Sequence, residues 1–207
     1  FLNGLIKKKY LNVLGVDPAK NLTNEANKNN INTINNFWDL KTSIKIKKKY
    51  GKAKVIFARN VIPHVSDLHS VMEGIKNILD NYGYGFIEFH SAHTILNKLQ
   101  YDSIYHEHLN YFSLLSINKL LSIYNLYIFD VFTSPMNGGS LCVCFSKNKN
   151  KLKSTNYYKQ INLEKKIGVN KITKWKKFEK DVIDHKINFL KILNNYKSKK
   201  IIGYGAS

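Results

Sequence analysis

Between residues 54 and 89 the chain alternates short apolar runs with one helical stripe, and this alternation restricts the fold more than any other feature. Lys54-Val-Ile-Phe-Ala58 reads as a strand, and it runs into Arg59-Asn60-Val-Ile-Pro-His64. From Asp67 to Leu79 apolar residues fall at 68, 71, 72, 75, 78 and 79. That 3.6-residue period predicts an amphipathic helix, with Ser66 as its N-cap. Tyr82-Gly-Tyr-Gly85 then turns the chain into Phe86-Ile-Glu-Phe89, another strand. Strand, polar loop, helix, strand is the pattern of a parallel sheet flanked by helices.

The flanks extend this reading. Residues 1–10 read as the end of a helix with Lys7 to Lys9 in its last turn. Leu11-Asn-Val-Leu-Gly-Val-Asp17 reads as a short buried strand, and Pro18 suits the first turn of a following helix. Residues 31–34 are a weaker strand candidate, followed by a turn through Phe37 and Trp38, aromatics of a kind more often found in a core than as a cofactor platform. Leu114 to Tyr124 forms a short amphipathic helix, with Asn125 where a left-handed C-cap residue belongs. Leu126–Phe132 and Ser140–Phe145 read as an antiparallel pair joined by 133–139. From Lys147 the composition turns to lysine, asparagine and serine, read here as linker. Lys171 to Tyr196 carries apolar residues at helical spacing, and Lys200 onward reads as a strand and glycine turn. The expected division is therefore 1–147 and 148–207.

A formal charge of +19 points superficially to nucleic acid, but it rests on 32 lysines and a single arginine, Arg59. Nucleic-acid faces favour arginine for bidentate and stacking contacts. Lysine, asparagine, isoleucine, tyrosine and phenylalanine are all residues of AT-rich codons, so base composition accounts for much of the charge. The lysine runs read as solvated faces and helix ends, and no specific nucleic-acid partner is expected. A preference for anionic substrates follows from the net charge. Cys142 and Cys144 stand alone as a C-x-C pair, too few for a zinc site, and are expected as reduced cytosolic thiols. No apolar run approaches a membrane span, so no membrane partner is expected and a cytoplasmic location is. Phe1 at the start and an apolar, glycine-containing run at the end read as cut termini, so the chain is expected to be a fragment.

Chemistry concentrates in Tyr101-Asp-Ser-Ile-Tyr-His-Glu-His-Leu-Asn-Tyr-Phe-Ser113. Tyr105, His106, Glu107 and His108 are adjacent groups able to carry or orient protons. Histidine can accept a proton and return it near neutrality. A neighbouring carboxylate can fix its tautomer, and a phenol can polarise a substrate oxygen. The competing reading is a surface loop with packed aromatics and solvated histidines. In an open α/β sheet, ligands lie beyond the C-terminal ends of the strands. Asp17, Asn60, His64 and His90 all fall at that edge. Asp17 could receive two ribose hydroxyls of a nucleotide-like ligand or cap the helix after it, and the two uses are compatible.

A parallel sheet that ends in an antiparallel hairpin is typical of the methyltransferases that use S-adenosylmethionine, an analogy of architecture. The motifs go further. The chain resembles the sugar C-methyltransferases that act on nucleotide-linked keto-deoxysugars. The likeness rests on Leu14-Gly-Val-Asp-Pro-Ala19, Ala58-Arg-Asn-Val-Ile-Pro-His64 with Val65-Ser-Asp67, Ile104-Tyr-His-Glu-His108 with Tyr111-Phe-Ser113, and Asn137-Gly-Gly-Ser140. Ile202-Gly-Tyr-Gly-Ala206 is similar to the opening of that family's C-terminal domain.

The resemblance implies a partial class I Rossmann-like sheet followed by the helical start of a second α/β domain. It implies His108 as base with Glu107 beside it, and Tyr105 and His64 in the sugar pocket. Asp17, Phe37 and Asn60 would hold S-adenosylmethionine. No metal ligand is expected in this chain, since the family's zinc belongs to an N-terminal four-cysteine module that these residues do not include. The expected partner is a nucleotide-diphosphate sugar. The family usually carries asparagine or a similar residue at position 59 and often histidine at 137, where this chain has Arg59 and Asn137. Two rival readings are an O- or N-directed methyltransferase and a non-catalytic basic binding module acting through the 171–200 helix. The fragment itself is expected to have little or no activity.

Overall fold

The computed structural model describes residues 1–10 and 12–203. Two sheets organise the molecule. β1 (Gly15–Asp17) and β2 (Thr33–Asn35) pair in parallel, Asp17 level with Asn35. The larger sheet has the order β3-β4-β6-β5: β3 (Ala53–Arg59) runs parallel to β4 (Leu79–His90), and β6 (Ser140–Ser146) is antiparallel to both β4 and β5 (Tyr127–Ser134). The expected α/β architecture with a terminal hairpin is present, in two sheets. A helix α1 (Leu2–Lys7) touches both: Phe1, its N-cap, stacks on Phe57 of β3 at 4.6 Å, and Leu2 lies against Gly15 of β1.

One face of the larger sheet is the core. Ile87 and Phe89 of β4, Leu141, Val143 and Phe145 of β6 and Val131 of β5 alternate onto it, all nearly inaccessible. α4 (Leu68–Ile78) lays Val71, Met72 and Ile75 on that face, and α6 (Leu114–Ile123) adds Leu114, Ile117 and Leu121. Each such side chain contributes about 1.5–3 kcal/mol by leaving water. The fit is tight: a Cβ on Gly85 would sit 2.1 Å from the Phe145 ring, its partner across the ladder. α3 (Leu40–Tyr50) packs on α4 through Gly74, where a Cβ would meet the Asp39 carbonyl at 2.8 Å.

Several sequence expectations are corrected. Asp67, not Ser66, caps α4, its carboxylate accepting the Ser70 N–H. The turn read at 82–85 lies inside β4, which starts at Leu79 and jumps register, so that Ala53 faces Leu79 and Val55 faces Tyr84. β1 begins at Gly15, and Leu11 lies outside the described residues. The largest correction concerns the stretch after 147. Its middle is a helix, α7 (Thr155–Ile167), capped by the Ser154 hydroxyl and closed by Gly168 at φ 81°. Tyr157 and Ile161 carry it onto the main core, while Gln160 and Glu164 beside them are buried polar groups that break up the apolar stripe. The long helix is α8 (Ile172–Asn194), with Phe178 its only buried residue. Residues 201–203 have no regular structure, and the glycine turn read beyond them falls on 204–207, outside the described residues.

Candidate active site

The loop after β4 is not free to wander. α5 (Ala92–Asn97) follows β4, and the Ala92 N–H returns to the Phe112 carbonyl. Across the edge, the N–H groups of Leu109 and Asn110 both donate to the Pro63 carbonyl at 2.9 and 3.0 Å. The Asn110 side-chain amide donates to Val65 O at 2.9 Å. The loop is thereby stitched to the turn 62–64 that follows β3, and two sequence-distant histidines meet. The His64 and His108 rings lie with centroids 4.7 Å apart.

Both imidazoles are oriented by backbone carbonyls. His108 Nδ1 is 2.8 Å from Ser103 O, and His64 Nδ1 is 2.9 Å from Glu107 O. A carbonyl only accepts, so each Nδ1 carries the proton and each neutral ring keeps its lone pair on Nε2. The Tyr105 O–H donates to His108 Nε2 at 3.3 Å, with ring centroids 4.3 Å apart, and Tyr111 stands edge-on to His108 at 6.0 Å. His108 is half-buried, while Tyr105 and Glu107 are exposed. The Glu107 carboxylate makes no hydrogen bond among the described residues. The orienting role expected of it on His108 belongs to the Ser103 carbonyl, and Glu107 serves His64 through its main chain.

The remaining edge residues occupy strand tips. Asp17 ends β1 half-buried, with Oδ1 accepting the Ala19 N–H at 2.8 Å, a turn that leads into α2 (Lys20–Lys28), and Oδ2 without a partner among the described residues. Phe37, two residues past β2, is 72% exposed, so of the two aromatics read as core residues only Trp38 packs there. Asn60 follows β3 in the left-handed region, φ 51°, with its N–H on the Glu88 carbonyl at 2.9 Å. Asparagine tolerates that conformation better than most residues. Arg59 pairs with Glu88 at 3.1 Å, and the buried Oε1 of Glu88 has no partner among the described residues. His90 is buried and turned away into a hydrogen bond with Gln100, so it supports the edge from within. A carboxylate oxygen and an apolar ring past the tips of the small sheet, and a carboxamide past a tip of the larger one, are of the types that fit an adenosine-type group: acceptor for hydroxyls, platform for a base, polar contact for a chain. Among the described residues no cluster of three or more His, Cys, Asp and Glu side chains is placed to hold a metal.

A family model described as a methyltransferase domain matches residues 1–131. The chain belongs to the methyltransferase-domain family. A second family model, the C-methyltransferase C-terminal domain, matches residues 135–207, so the chain passes from one family model to the other within the β5–β6 hairpin. Among curated proteins it is similar to the C-methyltransferase NovU of Streptomyces niveus, 35% identical over 131 residues. That match covers 63% of this chain and 31% of the relative, so the chain spans about a third of that relative's length. Among solved structures, a SAM-dependent methyltransferase from Anabaena variabilis superposes with TM-score 0.54 and 13% identity, over 70% of this chain and 72% of that one. A methyltransferase in complex with the Haloferax volcanii Trm112 activator gives 0.50 and 10%, over 71% and 80%. At such identities these likenesses establish the Rossmann-like fold of the methyltransferase domain.

The structure brings together His64, Tyr105 and His108, which the sequence singles out because imidazoles and phenols announce themselves. Sequence reasoning does not single out Ser103 and Pro63, whose contributions are main-chain carbonyls, or Asn110, whose side chain ties the loop to Val65.

Proposed function

We propose that this chain belongs to an S-adenosylmethionine-dependent C-methyltransferase that methylates the carbon beside a ketone in a nucleotide-linked deoxysugar, with His108 as the base. The observation that carries this is the fixed tautomer of His108: a lone pair on Nε2, a phenol O–H 3.3 Å from it, and a second imidazole 4.7 Å away. The likeness to a C-methyltransferase and to the C-methyltransferase C-terminal domain supports carbon as the acceptor atom.

The chemistry needs those groups. A carbon next to a carbonyl loses a proton only when the electron pair left behind can settle on oxygen. His108 Nε2 takes the proton, and the C–H pair becomes the C=C bond of an enolate. The Tyr105 hydroxyl turns from Nε2 to the ketone oxygen as substrate enters, which frees the lone pair for the proton, and it donates to the enolate oxygen as charge develops there; His64 lines the pocket beside them. S-adenosylmethionine, when bound, supplies an electrophilic methyl for the enolate carbon to displace from sulfur. Asp17, Phe37 and Asn60 hold the cofactor, and the lysine-rich surface draws in the diphosphate of the sugar. No helix among the described residues is long and apolar enough to cross a membrane. Cys142 and Cys144 are free and buried, which accords with action in a reducing cytoplasm.

The test is made on the product of the full reading frame containing this chain. His108→Gln keeps an amide near the Ser103 carbonyl but removes the basic nitrogen. Turnover falls by about 100-fold or more, and exchange of the acceptor's α-proton with solvent stops, while S-adenosylhomocysteine affinity is unchanged. Undiminished turnover in this variant removes the base assignment.

A further inference from the structure

At the opposite end of the sheet from His108 lies a second concavity, a cleft of about 600 Å³ that methyl transfer does not use. Lys47 and Lys76 reach it from the last turns of α3 and α4, Lys52 from just before β3, and Lys147 from just after β6. Four ammonium groups face one lining carboxylate, Glu73. Leu40, Ile123 and Tyr124 form an apolar wall, and the Tyr124 hydroxyl is engaged by His69. β3 separates this cleft from the strand tips by roughly 20 Å, taking about 3.3 Å per residue.

Two of the four lysines have an ordinary explanation: Lys47 and Lys76 complement the negative ends of their helices. Lys52 and Lys147 do not, since neither lies in a helix. Lys147 is half-buried with its Nζ held 2.6 Å from the Leu79 carbonyl, and Lys47 is fixed on the Asn77 side chain at 2.9 Å. Each ammonium has three N–H groups, so both retain donors for a ligand. Lys52 and Lys76 have no hydrogen-bond or ion-pair partner among the described residues. Burial lowers the pKa of Lys147, and the charges of Lys52, Lys47 and Lys76 lower it further, against one opposing contribution from Asp80. Crowded cations, two of them fixed in place and all lining one concave wall, are what an anion of several charges would relieve.

We propose that this cleft is a binding site for a compact polyphosphate anion, one bearing two or more phosphoryl groups, separate from the methyl-transfer edge. Lysine binds phosphate as a point charge, and low-dielectric walls focus the field of the four charges inward. The concavity suits a small anion better than a duplex, which would need an extended basic face.

Calorimetric titration of sodium tripolyphosphate into the chain at low ionic strength tests this, with ATP and a single-stranded RNA oligonucleotide run beside it. Saturable one-to-one binding is expected, weakened about tenfold or more in Lys52→Gln/Lys76→Gln. Both residues are exposed, so the variant keeps its fold, which its thermal melt checks. The remote pair Lys180→Gln/Lys191→Gln on α8 changes affinity by less than about twofold. ATP binding more tightly than tripolyphosphate assigns the apolar wall to a nucleoside, and equal affinities assign the site to the polyphosphate alone; both support the proposal. No saturable binding, an equal loss in the two double variants, or tighter binding of the RNA overturns it. The outcome is independent of the methyl-transfer reading, since no residue is shared.

Discussion

In the proposed cycle Tyr105 takes two positions, and its hydrogen bond says which comes first. In the structure its O–H donates to His108 Nε2, the atom proposed to take the substrate proton. That nitrogen has a single lone pair, so the phenol must first turn to the substrate's carbonyl oxygen, where it then meets the developing oxyanion. Tyr105→Phe in the full-length product therefore lowers kcat by about 100- to 1,000-fold, the usual loss for one oxyanion donor, while cofactor affinity is retained. Equal loss in kcat and in cofactor binding would assign Tyr105 to structure instead. At this scale the sequence was informative about side chains and silent about main chain. Tyr105, His64 and His108 were legible because few residue types can hold a proton near neutrality. That Ser103 O, and not the Glu107 carboxylate, sets the His108 tautomer was not legible, because every residue has a carbonyl and only the folded loop decides which one is near.

Two carboxylates at helix starts show how the same contact has opposite pH consequences. Asp39 caps α3 by accepting the Thr42 N–H, and those hydrogen bonds hold its pKa below the usual value. Its contribution is present above the unfolded-state carboxylate value and is lost as pH falls through the lowered folded value. Glu164 of α7 reaches across to the start of α6, accepting the Leu114 N–H at 2.8 Å, yet burial, with Oε2 unpartnered among the described residues, raises its pKa. The folded state then holds the proton more firmly, so Glu164 favours folding below the unfolded carboxylate value, and that advantage disappears as pH rises through the raised folded value. Thermal melts from acid to neutral pH should show Asp39→Ala costing about 1 kcal/mol at neutrality and little in acid. Glu164→Gln should remove a decline in stability with rising pH; an unchanged pH profile in it would contradict the assignment. The same residue explains why α7 escaped the sequence reading. Tyr157 and Ile161 are only two apolar anchors, with buried Gln160 and Glu164 filling the rest of the face. α4, with an unbroken aliphatic stripe, was legible to within a residue or two. The signals that could have found α7 were Ser154 and Gly168, a cap at each end.

Across the whole molecule, the alternation of strands and helices was enough to predict a parallel arrangement with a terminal hairpin, because strand burial and helix periodicity are local properties. How the strands divide is a long-range property. β1 pairs only with β2, and β3 only with β4, among the described residues, so each sheet keeps an unpaired edge, with Val55 of β3 60% exposed. Such edges invite further pairing, and α1 is the element that touches both. The residues proposed for cofactor and base lie at strand tips: Asp17 and Phe37 on one sheet, Asn60, His64 and the stitched loop of His108 on the other. The central claim is that this edge receives the cofactor. Its most direct test is calorimetric titration of S-adenosylhomocysteine into the product of the full reading frame, beside the same protein carrying Asp17→Ala. The account predicts saturable binding that weakens about 10- to 100-fold in the variant, the worth of a carboxylate hydrogen-bonded to hydroxyls. Equal affinity in the two proteins, or no binding by a well-folded sample, would contradict it.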